Sequence, residues 1–157
     1  MDIEKAKKYA LGLLSTRMYT CSELCERLLR KGAEKDDAES VVAQLMSLGV
    51  IDDRKYAEFY ISDAVRLGNK GMYRIKQELY KKGIASNIID EAVKNSDSDV
   101  LDTLTEYARM KFGENTEYSY KEYSKIKAHL VRRGYSYSEI SECLDILEIK
   151  ISRSEDY

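Results

Sequence analysis

The chain has 157 residues, with 26 lysines and arginines against 28 aspartates and glutamates, so its formal net charge is −2. This length admits one compact domain or a few small units and excludes a large multidomain enzyme. Hydrophobic residues make up 43% of the chain and charged residues 34%, which provides enough apolar content for a core and excludes global disorder.

Hydrophobic periodicity predicts helices in three groups of three along the chain. The first group covers residues 3–16, 21–31 and 36–48, the second 53–67, 72–82 and 86–94, and the third 100–112, 121–133 and 138–149. Thr20 and Glu23 have the spacing of a capping box at the start of the second helix. Asp36 with Glu39 resembles another start signal, and proline, which would interrupt helices, is absent.

Short connections separate the predicted helices. Linkers are expected at residues 49–52 and 95–99, an exposed loop at 113–124, and a frayed tail at 151–157. Sustained alternating strand patterns with hairpin turns are absent from the sequence, which favours an all-α chain.

The sequence contains an internal repeat of 51 residues. Gly32, Gly83 and Gly134 are spaced by 83 − 32 = 51 and 134 − 83 = 51 residues, and each follows two basic residues at the predicted end of a helix. A unit of about 50 residues buries a limited core by itself, so neighbouring units should pack on one another. We therefore predict an all-α fold of three tandem three-helix repeats, at residues 1–50, 51–96 and 97–150, forming an elongated, curved helical array.

Catalytic chemistry and metal binding are not predicted. His129 is the only histidine, and Cys21 and Cys25 lack neighbours in sequence that would complete a zinc site. Phosphate-loop, dinucleotide-binding and zinc-protease motifs are missing from the sequence. We expect no enzyme activity, no metal and no cofactor, and we interpret the cysteines as structural.

The sequence also indicates where the protein resides. No stretch approaches the roughly 20 apolar residues of a membrane span, and the apolar stretch at residues 9–14 is too short for a signal peptide. Three cysteines, an odd number, favour a reducing compartment. We expect a cytoplasmic monomer without a membrane partner.

Basic residues recur in phase before two of the repeat glycines. The basic residues stand nine, seven, two and one positions before the glycine. In the second repeat they are Arg74, Lys76, Lys81 and Lys82, and in the third repeat they are Lys125, Lys127, Arg132 and Arg133. Basic residues in a last turn favour the helix dipole, which explains the final two positions of each set. For the inner pairs, ordinary solvated surface and a surface for an anionic partner both stay open.

Tyrosines form two groups. Tyr9, Tyr56 and Tyr107 follow apolar faces and are predicted core residues. The second group lies near the basic helix of the third repeat and consists of Tyr118, Tyr120, Tyr135 and Tyr137. Members of this second group could stack on nucleic-acid bases, anchor a protein interface, or be exposed without a role.

Short motifs follow in a fixed order over almost the whole chain. They are Ala10-Leu11-x-x-Leu14-Ser15-x-Arg17, Thr20-x-x-Glu23-Leu24-x-x-x-Leu28, Asp52-Asp53-Arg54-Lys55-Tyr56-Ala57, Gly71-x-x-Arg74-Ile75-x-x-Glu78-Leu79-x-x-Lys82-Gly83-Ile84 and Lys127-x-x-Leu130-x-x-Arg133-Gly134-Tyr135. Their order and spacing resemble the RecX family, bacterial regulators of the RecA recombinase.

The resemblance implies three tandem three-helix units and a non-enzymatic role. It implies binding in the groove of the RecA–DNA filament, inhibition of ATP hydrolysis and strand exchange, and restraint of the SOS response. The basic residues would then face DNA phosphates or acidic RecA surface. The first repeat has Glu23 and Cys25 at the inner basic positions, so we expect DNA binding to be weak without RecA. The alternative is a stand-alone helical-repeat nucleic-acid-binding protein or repressor.

Overall fold

In a computed structural model, which describes residues 1–96 and 99–152, most of the described residues are helical. The helices of the described residues are α1 Ile3–Leu14, α2 Cys21–Lys31, α3 Lys35–Ser47, α4 Asp53–Leu67, α5 Met72–Lys81, α6 Ser86–Lys94, α7 Val100–Phe112, α8 Tyr120–Arg132 and α9 Tyr137–Ile146. Two short parallel strands, β1 Glu117–Tyr118 and β2 Lys150–Ile151, pair with each other. The predicted all-α fold with three successive groups of three helices is confirmed.

The described residues form two compact units. The first comprises Met1–Tyr60 and Glu78–Asn95, and the second comprises Ile61–Gln77 and the described residues from 96 onward. In the first unit, α1, α2 and α3 enclose a core in which Leu24, Leu28 and Leu45 are almost fully buried. In the second unit, α7, α8 and α9 enclose a core of the same kind.

Local capping sets several helix ends where the sequence predicts them. The Thr20 hydroxyl accepts a hydrogen bond from the Glu23 N–H, and the Glu23 carboxylate accepts one from the Thr20 N–H, so the capping box is confirmed. The repeat glycines Gly32, Gly83 and Gly134 all have positive φ angles, as glycines that terminate helices do.

The second start signal is wrong. Helix α3 begins at Lys35 after Glu34, whose side chain makes no capping hydrogen bond, and Asp36 lies inside the first turn. An acidic residue in that position stabilises the helix through its interaction with the positive end of the helix dipole, but it does not cap the helix.

The end of the chain also differs from the prediction. Helix α9 ends at Ile146 instead of residue 149, because the chain turns at Glu148, with φ of 57°, and buries Ile149. The following residues, Lys150–Ile151, pair with Glu117–Tyr118 after α7. Residues 117–118 are therefore a strand within the predicted loop, and Ile151, in the predicted frayed tail, is part of a strand. Residues 153–157 of the predicted tail, and residues 97 and 98 of the predicted linker, lie outside the described residues.

In each unit, one helix begins against the glycine turn that ends another. In the first unit, the Thr20 hydroxyl donates to the Lys82 carbonyl oxygen at 2.7 Å, where α2 begins and α5 ends. In the second unit, the Gly71 N–H donates to the Arg133 carbonyl oxygen at 2.8 Å and the Tyr73 N–H to that of Gly134 at 3.2 Å, where α5 begins and α8 ends. We call these two contacts the helix-end joints.

Candidate partner-binding surfaces

Helix α8 presents a row of basic side chains to solvent. Ile126 and Leu130 face the core of the second unit, whereas Lys121, Lys125 and Arg132 are exposed. These three lie four and seven residues apart, so they share the side of the helix opposite the core. We call them the α8 cationic face. None of the three forms an ion pair with a described residue.

Two other predicted site residues on or beside α8 have neighbours of their own. Lys127 is exposed on a flank of the helix, with its Nζ 5.6 Å from the centre of the Tyr123 ring. Arg133 is half-buried, and its Nε donates to the Asn69 carbonyl oxygen at 2.8 Å. Arg133 therefore helps to hold the turn between α4 and α5 in the second unit.

The basic residues of α5 differ from those of α8 in their surroundings. Arg74 and Lys76 are half-buried, and the backbone of Arg74 packs directly on Gly134 in the second helix-end joint. The structure thus brings Arg74 next to the end of α8.

Lys81 and Lys82, in the first unit, lie among carboxylates. They line an open depression together with Tyr60 and three glutamates, Glu23, Glu26 and Glu78. The Nζ of Lys82 lies 3.7 Å from the Glu23 Oε2, and 5.7 Å from the centre of the Tyr60 ring. Three carboxylates therefore balance two lysines, and this depression is not a positively charged surface. The assignment of all eight basic residues to partner binding stays a prediction.

The tyrosines only partly follow the prediction. Tyr56 is buried, while Tyr9 and Tyr107 are half-buried at the edges of their cores. In the second group, Tyr118 and Tyr135 are buried, so the hypothesis that they stack on bases is wrong for these two. Their hydroxyls donate to the carbonyl oxygens of Phe112 and Gly68 within the second unit. Tyr120 and Tyr137 are exposed and available to a partner.

The cysteine thiols lack the environment of nucleophiles. Burial and the nearby Asp53 carboxylate raise the pKa of Cys21 to about 12. Burial also raises the pKa of Cys25 and of Cys143. A thiol with a raised pKa carries little of the reactive thiolate at neutral pH. Among the described residues, no cluster of three histidine, cysteine or acidic side chains is suited to a metal ion, and no helix has the length and apolarity to cross a bilayer.

The fold is that of a helical-repeat protein, and its candidate binding surfaces consist of exposed charged side chains on the helices. The chain belongs to the RecX family of regulatory proteins. Models of the first, second and third three-helix domains of RecX match residues 6–45, 52–93 and 97–144. Each match falls within one predicted repeat, and the exact repeat boundaries stay predictions.

Individual proteins of the family cover most of the chain. It is 30% identical to "Regulatory protein RecX" of Prosthecochloris aestuarii over 93% of this chain and 95% of the relative. It is 31% identical to the protein of the same name from Lactococcus lactis subsp. cremoris over 97% of this chain, but spans only 58% of that relative. A crystal structure of RecX from Lactobacillus salivarius superposes with a TM-score of 0.79, at 29% identity, covering 93% of this chain and 96% of that one. The resemblance drawn from the motifs is confirmed.

Proposed function

We propose that this protein binds the RecA–DNA filament and inhibits its ATP hydrolysis and strand exchange, thereby restraining recombination and the SOS response. Membership of the RecX family supports a regulatory role. The α8 cationic face is the observation that carries the mode of action, because it offers three exposed positive charges to a polyanion or to an acidic protein surface.

Inhibition by binding requires no catalytic residue. A protein of tandem units can contact several filament subunits and hold them in one arrangement. It changes ATP turnover only if it binds one state of the filament more tightly than the other, since equal affinity for both states shifts nothing.

The charge of the α8 cationic face can be reversed without disturbing the core. The variant Lys125→Glu/Arg132→Glu changes two exposed side chains on one helix. We expect filament co-sedimentation with RecA on single-stranded DNA to weaken about tenfold or more, and the salt dependence of binding to become shallower. The matched control, Lys5→Glu/Lys8→Glu, makes the same charge change at exposed positions of α1. Equal binding by the two variants would move the interface away from α8.

The second candidate function is direct nucleic-acid binding by the same α8 cationic face. A stand-alone DNA binder loses affinity steeply with added salt, whether or not another protein is present. Single-stranded DNA binding measured without RecA separates the two candidates. Under our proposal this binding is much weaker than binding to the filament.

A further inference from the structure

The second unit contains a cavity outside the α8 cationic face. Its volume is about 430 Å³, and it lies between the end of α4 and helix α7. Leu67 on α4 and Met110 on α7 line it, and they are 68% and 79% exposed. Large apolar side chains at the rim of a concavity are typical of protein–protein contact sites, and methionine adapts readily to different partners.

The charge around the cavity is positive. Arg66 and Lys111 line it; the Arg66 guanidinium lies 3.4 Å from the Asp63 carboxylate, whereas Lys111 forms no ion pair with a described residue. The one lining carboxylate, Glu106, pairs with Arg109 at 2.9 Å. Nearby His129 responds to the same charges, because its pKa is lowered by burial and then by Lys111 and two arginines. A carboxylate on the occupant would therefore be attracted to this rim.

We propose that this cavity binds an acidic segment of a partner protein, with one large apolar side chain inserted between Leu67 and Met110. A carboxylate of the segment pairs with Lys111. The volume of the cavity lies within the range of about 300–1,000 Å³ that is typical of pockets for drug-sized ligands. The inference goes beyond filament binding through α8, because it assigns a different surface to a different ligand.

A nucleobase fits the same cavity less well. Tyr107 is the aromatic side chain among the lining residues, and its ring is already stacked on His129, with centroids 6.0 Å apart. Its hydroxyl lies 2.8 Å from the His129 Nε2. Base recognition commonly relies on open aromatic faces, whereas aliphatic walls favour apolar side chains.

The test uses an acetylated, amidated peptide with tryptophan between two pairs of acidic residues. Because the protein has no tryptophan, excitation at a wavelength that its 13 tyrosines do not absorb makes the peptide fluorescence a direct report of binding. The protein has five methionines, so methyl-labelled methionine gives a simple NMR spectrum in which Met110 reports on the cavity. The control peptide carries lysines in place of the acidic residues.

We expect saturable binding that shifts the tryptophan emission to the blue and perturbs the Met110 methyl signal. Met110→Asp and Lys111→Glu should each weaken binding about tenfold or more. Met46→Asp, which changes a methionine of the first unit that is 53% exposed, should leave binding unchanged. Circular dichroism verifies that each variant is folded.

Three results would overturn the inference. They are no saturable binding of the acidic peptide up to about 1 mM, an equal loss of binding in the Met46→Asp control, and equal binding of the lysine peptide. Displacement of the acidic peptide by a thymidine oligonucleotide that perturbs Met110 would instead assign the cavity to nucleic acid. None of these results depends on RecA, so the inference and the proposed function fail separately.

Discussion

His129, on α8, is held by two aromatic residues of the second unit. Its Nε2 lies 2.8 Å from the Tyr107 hydroxyl, and the Phe112 ring meets it edge-on with centroids 5.7 Å apart. A neutral imidazole can accept a hydrogen bond from the Tyr107 hydroxyl at Nε2, whereas a protonated imidazole cannot. Burial, followed by Lys111, Arg133 and Arg132, lowers the pKa of His129 in the folded protein.

This lowered pKa predicts a loss of stability in mild acid. The unfolded chain takes up the histidine proton near its ordinary pKa of about 6.5, before the folded protein does. The contribution is therefore fully present above about pH 6.5 and is lost as the pH falls through the folded pKa. We expect the free energy of unfolding in urea to decrease between about pH 7.5 and pH 5.5, and His129→Gln to reduce that decrease. An NMR titration midpoint at or above 6.5 for this single histidine would contradict the account.

At the scale of the element, the helix-end joints explain why Gly83 and Gly134 leave no room for a side chain. The helical periodicity and the basic last turns predict a terminating glycine in each repeat, but only the tertiary structure reveals what approaches it. A Cβ on Gly83 would overlap the Ser22 side chain, and one on Gly134 would overlap Arg74. Gly32, in the first repeat, has the same left-handed conformation but open space around it. Gly83 and Gly134 thus meet a second requirement, close approach.

This difference between glycines gives a paired prediction. Gly32→Ala should cost about 1–2 kcal/mol of unfolding free energy, because a left-handed backbone is unfavourable for residues with a Cβ. Gly83→Ala should cost more, by about 1–3 kcal/mol, because Ser22 must also move. Urea unfolding of both variants measures the difference. Equal losses of unfolding free energy in the two variants would show that the first helix-end joint accommodates the added Cβ without a further loss of stability.

Most helix boundaries were predictable because their signals are local. The Thr20–Glu23 capping box and the repeat glycines operate within a few residues of the helix ends that they define. The pairing of β1 with β2 was not predictable, because two-residue strands have no periodicity and these two strands join segments far apart in sequence. The same limit applies to Tyr118 and Tyr135, whose burial depends on tertiary contacts.

For the candidate surfaces, the sequence predicts the charges but not their neighbours. The spacing of Lys125 and Arg132 places them on one side of a helix, which the structure bears out. The same pattern gives no sign that Lys82 lies near Glu23, or that Arg133 binds the Asn69 carbonyl oxygen. The cavity between α4 and α7 has no sequence signature, because its walls come from two helices in different predicted repeats.

At the scale of the whole molecule, a net charge of −2 coexists with a strongly basic helix surface. A protein that bound DNA through its overall charge would be expected to carry a net positive charge. Helix α8 presents three exposed basic side chains on one side, which fits a partner that presents an anionic surface at a defined place. Together with membership of the RecX family, this arrangement leads to the proposal of regulation through the RecA–DNA filament.

The central claim is tested most directly by ATP hydrolysis of RecA on single-stranded DNA, with this protein titrated below stoichiometry. We expect inhibition at low ratios of protein to RecA, and we expect Lys125→Glu/Arg132→Glu to require about tenfold more protein for the same effect. Inhibition below stoichiometry would mean that one bound molecule affects many filament subunits. Unchanged hydrolysis at a full equivalent of this protein, with RecA from the same source, would contradict the proposed function.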